Sequence, residues 1–149
     1  MNKNYVARVT EEINRMLEAG IIFKVQTSEW VSLIVISLKK DTTQIGICVD
    51  FRCLNAVTIK DPFPIPFTDN ILEEVARHEI YSFMDGFFGY NQISIAKDKL
   101  KMTFVVEDEV YAYNQMSFGL YNAPTTFEGI ILHIFDKMFV ANFKAFLDD

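Results

Sequence analysis

Three aspartates stand at the ends of two apolar segments, and their placement is the feature of the sequence that most suggests chemistry. Asp85 follows IYSFM, and the adjacent pair Asp148 and Asp149 follows FKAFL. Acidic residues are uncommon at the ends of buried strands, because a buried carboxylate is costly unless a cation compensates it. If the two segments are neighbouring strands, the three carboxylates would form one cluster of oxygen ligands suited to Mg²⁺.

A carboxylate cluster of this kind can hold two metal ions about 3.5–4 Å apart and support an in-line phosphoryl transfer. The ions would activate a 3′-hydroxyl and stabilise the pyrophosphate leaving group. Loop aspartates that simply follow strands are the alternative, and the spacing by itself favours that simpler alternative. The residues therefore leave both interpretations open.

Other kinds of site have less support in the sequence. His78 and His133 each stand alone, without neighbours at metal-ligand spacing, so we expect a structural role for both. No serine or cysteine has the base pattern of a nucleophilic triad. Gly86 and Gly89 are too few to form a phosphate-binding loop.

The composition indicates one folded domain. The chain has 149 residues, of which 50% are hydrophobic and 14 are phenylalanine. No apolar run approaches the about 18 residues of a membrane span, and the N-terminus lacks the apolar core of a signal peptide. The spacing of Cys48 and Cys53 places them on opposite faces of a continuous strand. We therefore expect no disulfide and a reducing compartment.

The net charge of −6 weakly disfavours a nucleic-acid partner, because such binding usually depends on Lys and Arg at phosphates. The positive charges are uneven, however. They cluster in two segments, Lys39, Lys40 and Arg52 in the first and Lys97, Lys99 and Lys101 in the second. A local basic groove on an acidic body is therefore compatible with the sequence.

Helix and strand patterns alternate along the N-terminal part of the chain. A first helix is expected to begin with Thr10 as its N-cap and to end at Gly20. After the short strand IIFKV, the segments WVSLIVISL, KKDTTQ and IGICVDF predict a strand, a turn and a return strand. The segment MTFVVEDEVYAYNQM predicts a second hairpin that turns at Glu107–Glu109.

The remaining elements are expected around these hairpins. The prolines of DPFPIPF predict an extended connection, and TDNILEEVARH predicts a helix capped by Thr68 or Asp69. QISIAKD alternates like a strand. NAPTTFEGIILHIFDKMF predicts a helix with Asn122 as its cap and Pro124 in its first turn. Together these patterns predict an α+β fold with a largely antiparallel sheet.

Five segments carry a resemblance to a known family: SEWVS, CVDFRCLNAVTIKDPFPIPF, HEIYSFMDGFFGYNQISIA, FGLYNAPTTF and FLDD. Their order and spacing are similar to those of the reverse transcriptase domain of Ty3/gypsy-type LTR retrotransposons, especially the plant-like lineages. The resemblance runs from Ala19 to Asp149, nearly the whole chain.

The resemblance implies a right-hand polymerase, of which this chain contains the fingers and a partial palm without the thumb. It implies an antiparallel palm sheet with packed helices. The fingers would comprise residues from about 1–60 and 91–123, and the partial palm residues from about 61–90 and 124–149. By the same resemblance, Asp85, Asp148 and Asp149 bind the catalytic metals, two Mg²⁺ ions that Mn²⁺ can replace.

The resemblance also implies roles for residues outside the aspartate cluster. Lys39 matches a fingers lysine that touches the triphosphate. Tyr90 matches the aromatic residue that packs under the incoming sugar and excludes a 2′-hydroxyl, and Phe118 matches a residue of the nucleotide pocket. Asp50 and Arg52 match residues near the templating nucleotide. The implied partners are an RNA or DNA template with its primer, and dNTPs. The implied location is a cytoplasmic particle or the nucleus, and no association with a membrane is implied.

The sequence departs from the family pattern at several positions. Gly46 stands where the family usually has an arginine that binds the triphosphate. The loss of such a charge-assisted contact costs of order 2–4 kcal/mol, roughly 30- to 1000-fold in rate. Leu33 and Ser117 each replace a usual proline, Glu128 replaces a common glutamine, and Asp41–Thr43 lacks the usual glycine of the fingers turn.

The function implied by the resemblance is nucleotidyl transfer to a primer 3′-end by an RNA-directed DNA polymerase. The family's primer grip and thumb follow the double aspartate, so we expect them to lie outside this chain and expect little or no polymerase activity from the chain alone. The alternative is an inactive remnant, at most a weak nucleic-acid-binding module, which Gly46 and the acidic net charge favour. An unrelated α+β interaction domain would rest on composition alone.

Overall fold

The chain divides into two compact units, each built from two separate stretches of sequence. The computed structural model of the chain describes residues 3–38, 45–64, 67–80, 82, 86, 89–95 and 99–136. The first unit comprises Met1–Thr58 and Tyr90–Leu120, and the second comprises Ile59–Gly89 and Tyr121–Asp149. Within the described ranges there are five strands and four α-helices, so the α+β class expected from the sequence is confirmed.

Helix α1, Lys3–Glu18, begins the first unit and buries Val9 and Ile13, which are 0% and 2% exposed. The prediction that this helix begins at Thr10 is wrong. Thr10 Oγ1 donates to the Val6 carbonyl at 3.0 Å, so the hydroxyl bonds within the helix instead of capping its start. The end of the helix is as predicted, because Gly20 has a φ of +69°, which glycine adopts without strain.

A five-stranded sheet forms the body of the first unit. Its strands are β1 (Ile22–Val25), β2 (Val31–Leu38), β3 (Ile45–Val49), β4 (Thr103–Val106) and β5 (Glu109–Tyr113). Their spatial order is β1-β5-β4-β2-β3, and every pairing is antiparallel except that of β2 with β4, which is parallel. The expectation of a largely antiparallel sheet therefore holds, with one parallel pairing at its centre.

Phe104, on β4, is the centre of the core of this unit and is fully buried. Its ring centroid lies 5.7 Å from that of Tyr111 and 5.3 Å from that of Tyr113. Burial raises the pKa of the Tyr113 hydroxyl to about 12. Tyr113 in turn pairs with Ile22 of β1. The aromatic cluster thus links the central strand to the edge of the sheet.

Both predicted hairpins have antiparallel strand pairs, but the structure describes the turn of only the second. Strands β4 and β5 pair as predicted across a turn in which Glu107 has a φ of +54°. Strands β2 and β3 also pair antiparallel, from Ile34 with Val49 to Leu38 with Ile45, while their connection at residues 39–44 lies outside the described residues. The predicted strand QISIAKD forms one bridge, Ser94 with Gln115, and residues 96–98 lie outside the description.

Three further helices complete the described fold. The short helix α2, Arg52–Val57, follows β3 and was not predicted. Helix α3, Thr68–Val75, has Phe67 at its N-cap position, so the caps predicted for it are wrong. Helix α4, Ala123–Ile134, has proline in its first turn as predicted, and Asn122 occupies its N-cap position without a side-chain capping bond. Among the described residues, no helix has both the length and the apolar character needed to cross a bilayer.

Glu128 is an acidic side chain buried on α4. The residue is 3% exposed, and within the described part of the chain its Oε2 atom has no hydrogen-bond partner. Desolvation by burial raises the pKa of its carboxyl above the ordinary glutamate value. Because burial disfavours the charged form, ionisation of Glu128 destabilises the folded chain.

We expect the substitution Glu128→Gln to stabilise the fold near neutral pH, because the amide cannot ionise and so avoids the cost of a buried charge. A raised folded-state pKa means that the wild-type chain loses stability as pH rises above the ordinary carboxyl value, whereas the variant does not. The gain should therefore shrink as pH falls toward about 4.5. Urea unfolding over this pH range measures it, with Glu73→Gln as the control at an exposed position of α3. A gain that does not change with pH would contradict this explanation.

Candidate functional site

Asp50 and Arg52 form a bidentate ion pair where β3 leads into α2. Arg52 Nε donates to Asp50 Oδ1 at 2.8 Å, and Arg52 Nη2 donates to Asp50 Oδ2 at 2.6 Å. Asp50 Oδ1 also accepts the backbone N–H of Arg52, the first residue of α2, at 3.1 Å. The carboxylate therefore orients the guanidinium and also satisfies an N–H group at the start of the helix.

The electrostatics of this pair keep the arginine charged and presented to solvent. Hydrogen bonds from Arg52 lower the pKa of the Asp50 carboxyl to about 2. The side chain of Asp50 is 25% exposed and that of Arg52 is 90% exposed. A guanidinium has five N–H donors, and Asp50 engages only Nε and Nη2. Arg52 is thus a fixed and accessible cation with hydrogen-bonding capacity for a polyanionic ligand.

Tyr90 and Phe118, both predicted for the nucleotide pocket, contact each other in the first unit. Their ring centroids are 4.8 Å apart and their planes meet at 68°, an edge-to-face arrangement. Tyr90 lies on the 3₁₀ turn Gly89–Gln92, and Phe118 lies in the loop after β5, where it is 65% exposed. The pair is therefore an aromatic surface that a sugar or a base could cover.

The loop that bears Phe118 is anchored to the same β3–α2 junction that bears the ion pair. Asn55 Nδ2, on α2, donates to the Gly119 carbonyl at 2.7 Å. Gly119 has a φ of +88°, and a Cβ atom there would lie 3.7 Å from Phe51 Cδ2. The hydrogen bond therefore fixes the aromatic loop to the segment that carries the cation.

Sequence reasoning missed Asn55 as part of this site. Its side chain holds a carbonyl 64 residues away, and no local pattern reports such a distant partner. The start of α2 did have a signal, since an aspartate two residues before a helix can accept its first N–H groups. That signal in CVDFRCLN was not used.

Gly46 lies on β3 opposite Ser37 of β2. A Cβ atom at position 46 would lie 2.8 Å from Ser37 Oγ, which itself donates to the Gly46 carbonyl at 3.4 Å. A side chain at position 46 therefore requires the serine hydroxyl to rotate away. Ser37 is exposed, so solvent offers its hydroxyl other partners.

Four predicted site residues lie outside the described residues: Lys39, Asp85, Asp148 and Asp149. Gly86, next to Asp85 in the chain, is described, and its Cβ position is 3.8 Å from Phe127 Cζ on α4 of the same unit. Within the described ranges, no three His, Cys, Asp or Glu side chains form a group that could hold a metal ion. The aspartate cluster therefore stays a prediction.

Comparison with known families identifies the domain. Residues 38–149 match a family model described as reverse transcriptase (RNA-dependent DNA polymerase). The chain belongs to the reverse transcriptase family. The matched range includes all the site residues predicted above, and the resemblance to reverse transcriptases stated from the sequence is confirmed.

Two curated relatives of this reverse transcriptase domain are transposon polyproteins of Drosophila melanogaster. The retrovirus-related Pol polyprotein from transposon 297 is 29% identical over 145 residues, which cover 95% of this chain and 14% of that protein. The corresponding polyprotein from transposon gypsy is 32% identical over 126 residues, which cover 80% of this chain and 12% of that protein. The chain thus spans a small part of the length of these relatives.

A solved structure shares the fold of this reverse transcriptase domain. The foamy viral protease-reverse transcriptase in complex with dsDNA matches with a TM-score of 0.86 at 20% sequence identity. The match covers 99% of this chain and 30% of that protein chain. At this level of identity the likeness shows the fold, and the polymerase fold expected from the sequence is confirmed.

The Asp50–Arg52 pair predicts an unusually acidic carboxyl. We expect Asp50 to titrate with a pKa of about 2 in the wild-type chain. In Arg52→Gln, which lacks the guanidinium donors but keeps the backbone N–H that Asp50 accepts, we expect a higher pKa that stays below the ordinary value of about 3.9. Because the folded pKa is depressed, the pair stabilises the fold above about pH 4, and this contribution is lost as pH falls toward about 2. NMR titration of the carboxyl carbon measures both values.

Arg8→Gln, an exposed position on α1, is the matched control for this titration and should leave the Asp50 midpoint unchanged. Equal midpoints in the Arg52→Gln and Arg8→Gln variants would show that the ion pair does not form in solution.

Proposed function

We propose that this chain forms the fingers and partial palm of an RNA-directed DNA polymerase from a Ty3/gypsy-type retrotransposon polyprotein. The main support for this proposal is that one compact unit holds both the Asp50–Arg52 pair and the Tyr90–Phe118 pair. Both pairs are anchored at the β3–α2 junction. The fingers comprise about 1–60 and 91–123, and the partial palm comprises about 61–90 and 124–149. The two compact units found in the fold support this division.

The ligands are a template with its primer and an incoming dNTP. Arg52, exposed and oriented by Asp50, lies beside the templating nucleotide. Tyr90 packs under the incoming sugar and rejects a 2′-hydroxyl by its bulk, while Phe118 forms the adjoining wall of the pocket. Lys39 neutralises the triphosphate. The complex of the foamy viral relative with dsDNA supports a nucleic-acid ligand for this fold.

Asp85, Asp148 and Asp149 are the proposed metal ligands. Three carboxylates are a hard oxygen donor set of the kind that Mg²⁺ and Mn²⁺ prefer, so the residue types fit these ions. When bound, the metal ions lower the pKa of the primer 3′-hydroxyl and stabilise the charge of the leaving pyrophosphate. The chain's own contribution is to hold the carboxylates ionised and close together.

We expect Asp85→Asn to weaken Mn²⁺ binding at least about tenfold, because a neutral amide replaces one carboxylate ligand. The free-ion signal in electron paramagnetic resonance measures binding in the presence of primer–template and dNTP. Asp69→Asn, an exposed acidic position on α3 of the same unit, is the control for lost charge and should bind as the wild type does.

Primer extension provides the second measurement on the same proteins. The chain alone should incorporate little dNTP, and any incorporation should disappear in Asp85→Asn. Equal Mn²⁺ affinity in the Asp85 and Asp69 variants would contradict the proposed metal site. Extension that survives Asp85→Asn would contradict the proposed role of this carboxylate.

A non-catalytic nucleic-acid-binding module is the second candidate function, and Gly46 favours it. At this position the family resemblance implies a triphosphate-binding arginine, and glycine supplies no charge. A Cβ atom at this position would displace the exposed Ser37 hydroxyl, which can rotate away, so the missing charge and not the packing supports this candidate. The nucleotide pocket would then lack one of its anchors.

We expect Gly46→Arg to bind dNTP about tenfold or more tightly than Gly46→Gln, because only arginine adds a charge-assisted phosphate contact. Both variants are made with Ser37→Ala, which removes the oxygen that would meet the new Cβ atom. Glutamine imposes a similar strain at the position without the charge. Fluorescence titration with a labelled dNTP measures the difference, and equal affinities would show that this strand position does not face the triphosphate.

A further inference from the structure

The side chain of Asn122 joins the start of α4 to the segment around Lys60, in the second unit. Asn122 Nδ2 donates to the Ile59 carbonyl at 2.8 Å, and Asn122 Oδ1 accepts the N–H of Asp61 at 3.1 Å. The amide therefore holds the backbone on both sides of Lys60, as a neighbouring strand would. Asp61 Oδ1 is itself engaged by the N–H of Phe63 at 3.0 Å.

The ammonium group of Lys60 is held over an aromatic ring. Lys60 Nζ lies 4.7 Å from the centroid of the Tyr121 ring, within the range of a cation–π contact. Lys60 is exposed and Tyr121 is 47% exposed. The fixed backbone and the ring together restrict a side chain that is normally flexible, so Lys60 loses less conformational entropy when an anion binds.

The charge of Lys60 is not offset by an acidic partner within the described ranges. The ion pairs found there use Arg15, Lys24 and Arg52 as their cations. The chain as a whole carries a net charge of −6. An oriented and uncompensated cation on an acidic protein provides a local attraction for a phosphate group, which the net charge does not reveal.

We infer that Lys60 contacts a backbone phosphate of bound nucleic acid, with Tyr121 and Asn122 as its positioning residues. This contact lies in the second unit and is additional to the Arg52 site of the first. The inference rests on the proposed function, since it requires that the chain bind nucleic acid. Lysine binds phosphate as a point charge, so the contact adds affinity without base specificity.

The salt dependence of binding tests the inference. Lys60→Gln should lower the slope of log affinity against log salt by about one unit, and should weaken oligonucleotide binding about three- to tenfold near 0.1 M salt. Lys60→Arg should restore both values. Arg77→Gln, an exposed cation of the same unit, is the matched control and should keep the wild-type slope. Fluorescence anisotropy with a labelled primer–template measures each protein.

The positioning residues have their own expected outcome. Asn122→Ala and Tyr121→Leu should each weaken binding in the same direction as Lys60→Gln, and neither should weaken binding further when Lys60→Gln is already present. Thermal unfolding checks that the variants fold. If Asn122→Ala does not fold, Tyr121→Leu alone tests the positioning role. Additive losses would overturn the positioning role.

Two outcomes separate this inference from its alternatives. If Lys60→Gln weakens dNTP binding as much as oligonucleotide binding, the phosphate belongs to the nucleotide and the inference is overturned. An unchanged salt slope in Lys60→Gln also overturns it. A failure of the proposed function would give a different result. The wild-type chain would then not bind primer–template even near 0.02 M salt, where electrostatic attraction is strong.

Discussion

The parallel pairing of β4 with β2 is the constraint on which the first unit depends. Strands β1 and β2 follow each other in the chain, yet β5 and β4 lie between them in the sheet. The fully buried ring of Phe104 fixes β4 in that gap, in contact with two tyrosine rings. Because β3 pairs with β2, the same placement positions the end of β3 and therefore Asp50 and Arg52.

Two asparagines extend this constraint to the loops, one in each unit. Asn55 holds the Gly119 carbonyl, and Asn122 holds the backbone on both sides of Lys60. A side-chain amide offers both a donor and an acceptor, so it can replace a missing strand neighbour for a short extended segment. Phe118 and Lys60, two residues with proposed ligand contacts, thus lie on irregular backbone that is nevertheless anchored by hydrogen bonds.

The parts of the fold that could be predicted from the sequence were those with strong local signals. The hairpin of β4 and β5 was confirmed: two apolar segments flank a polar turn in MTFVVEDEVYAYNQM. The predicted start of α1 was wrong, because Thr10 bonds within the helix. The structure pairs Asp50 with Arg52 and Tyr90 with Phe118, while the roles that the family resemblance implies for these residues stay predictions. The long-range hydrogen bonds of Asn55 and Asn122 could not be predicted, since their partners are more than 60 residues away. The aspartate cluster remains a prediction.

The order of strands in the sheet also has a consequence for how the chain is made. Ile22 of β1 pairs with Tyr113 of β5, so a ribosome must synthesise β5 before β1 can be paired. Until then the nascent chain exposes an unpaired strand edge, which can join to another chain. Contacts between residues so distant in sequence also slow folding. Synthesis of this domain therefore includes an interval in which binding by a chaperone would protect the nascent chain from aggregation.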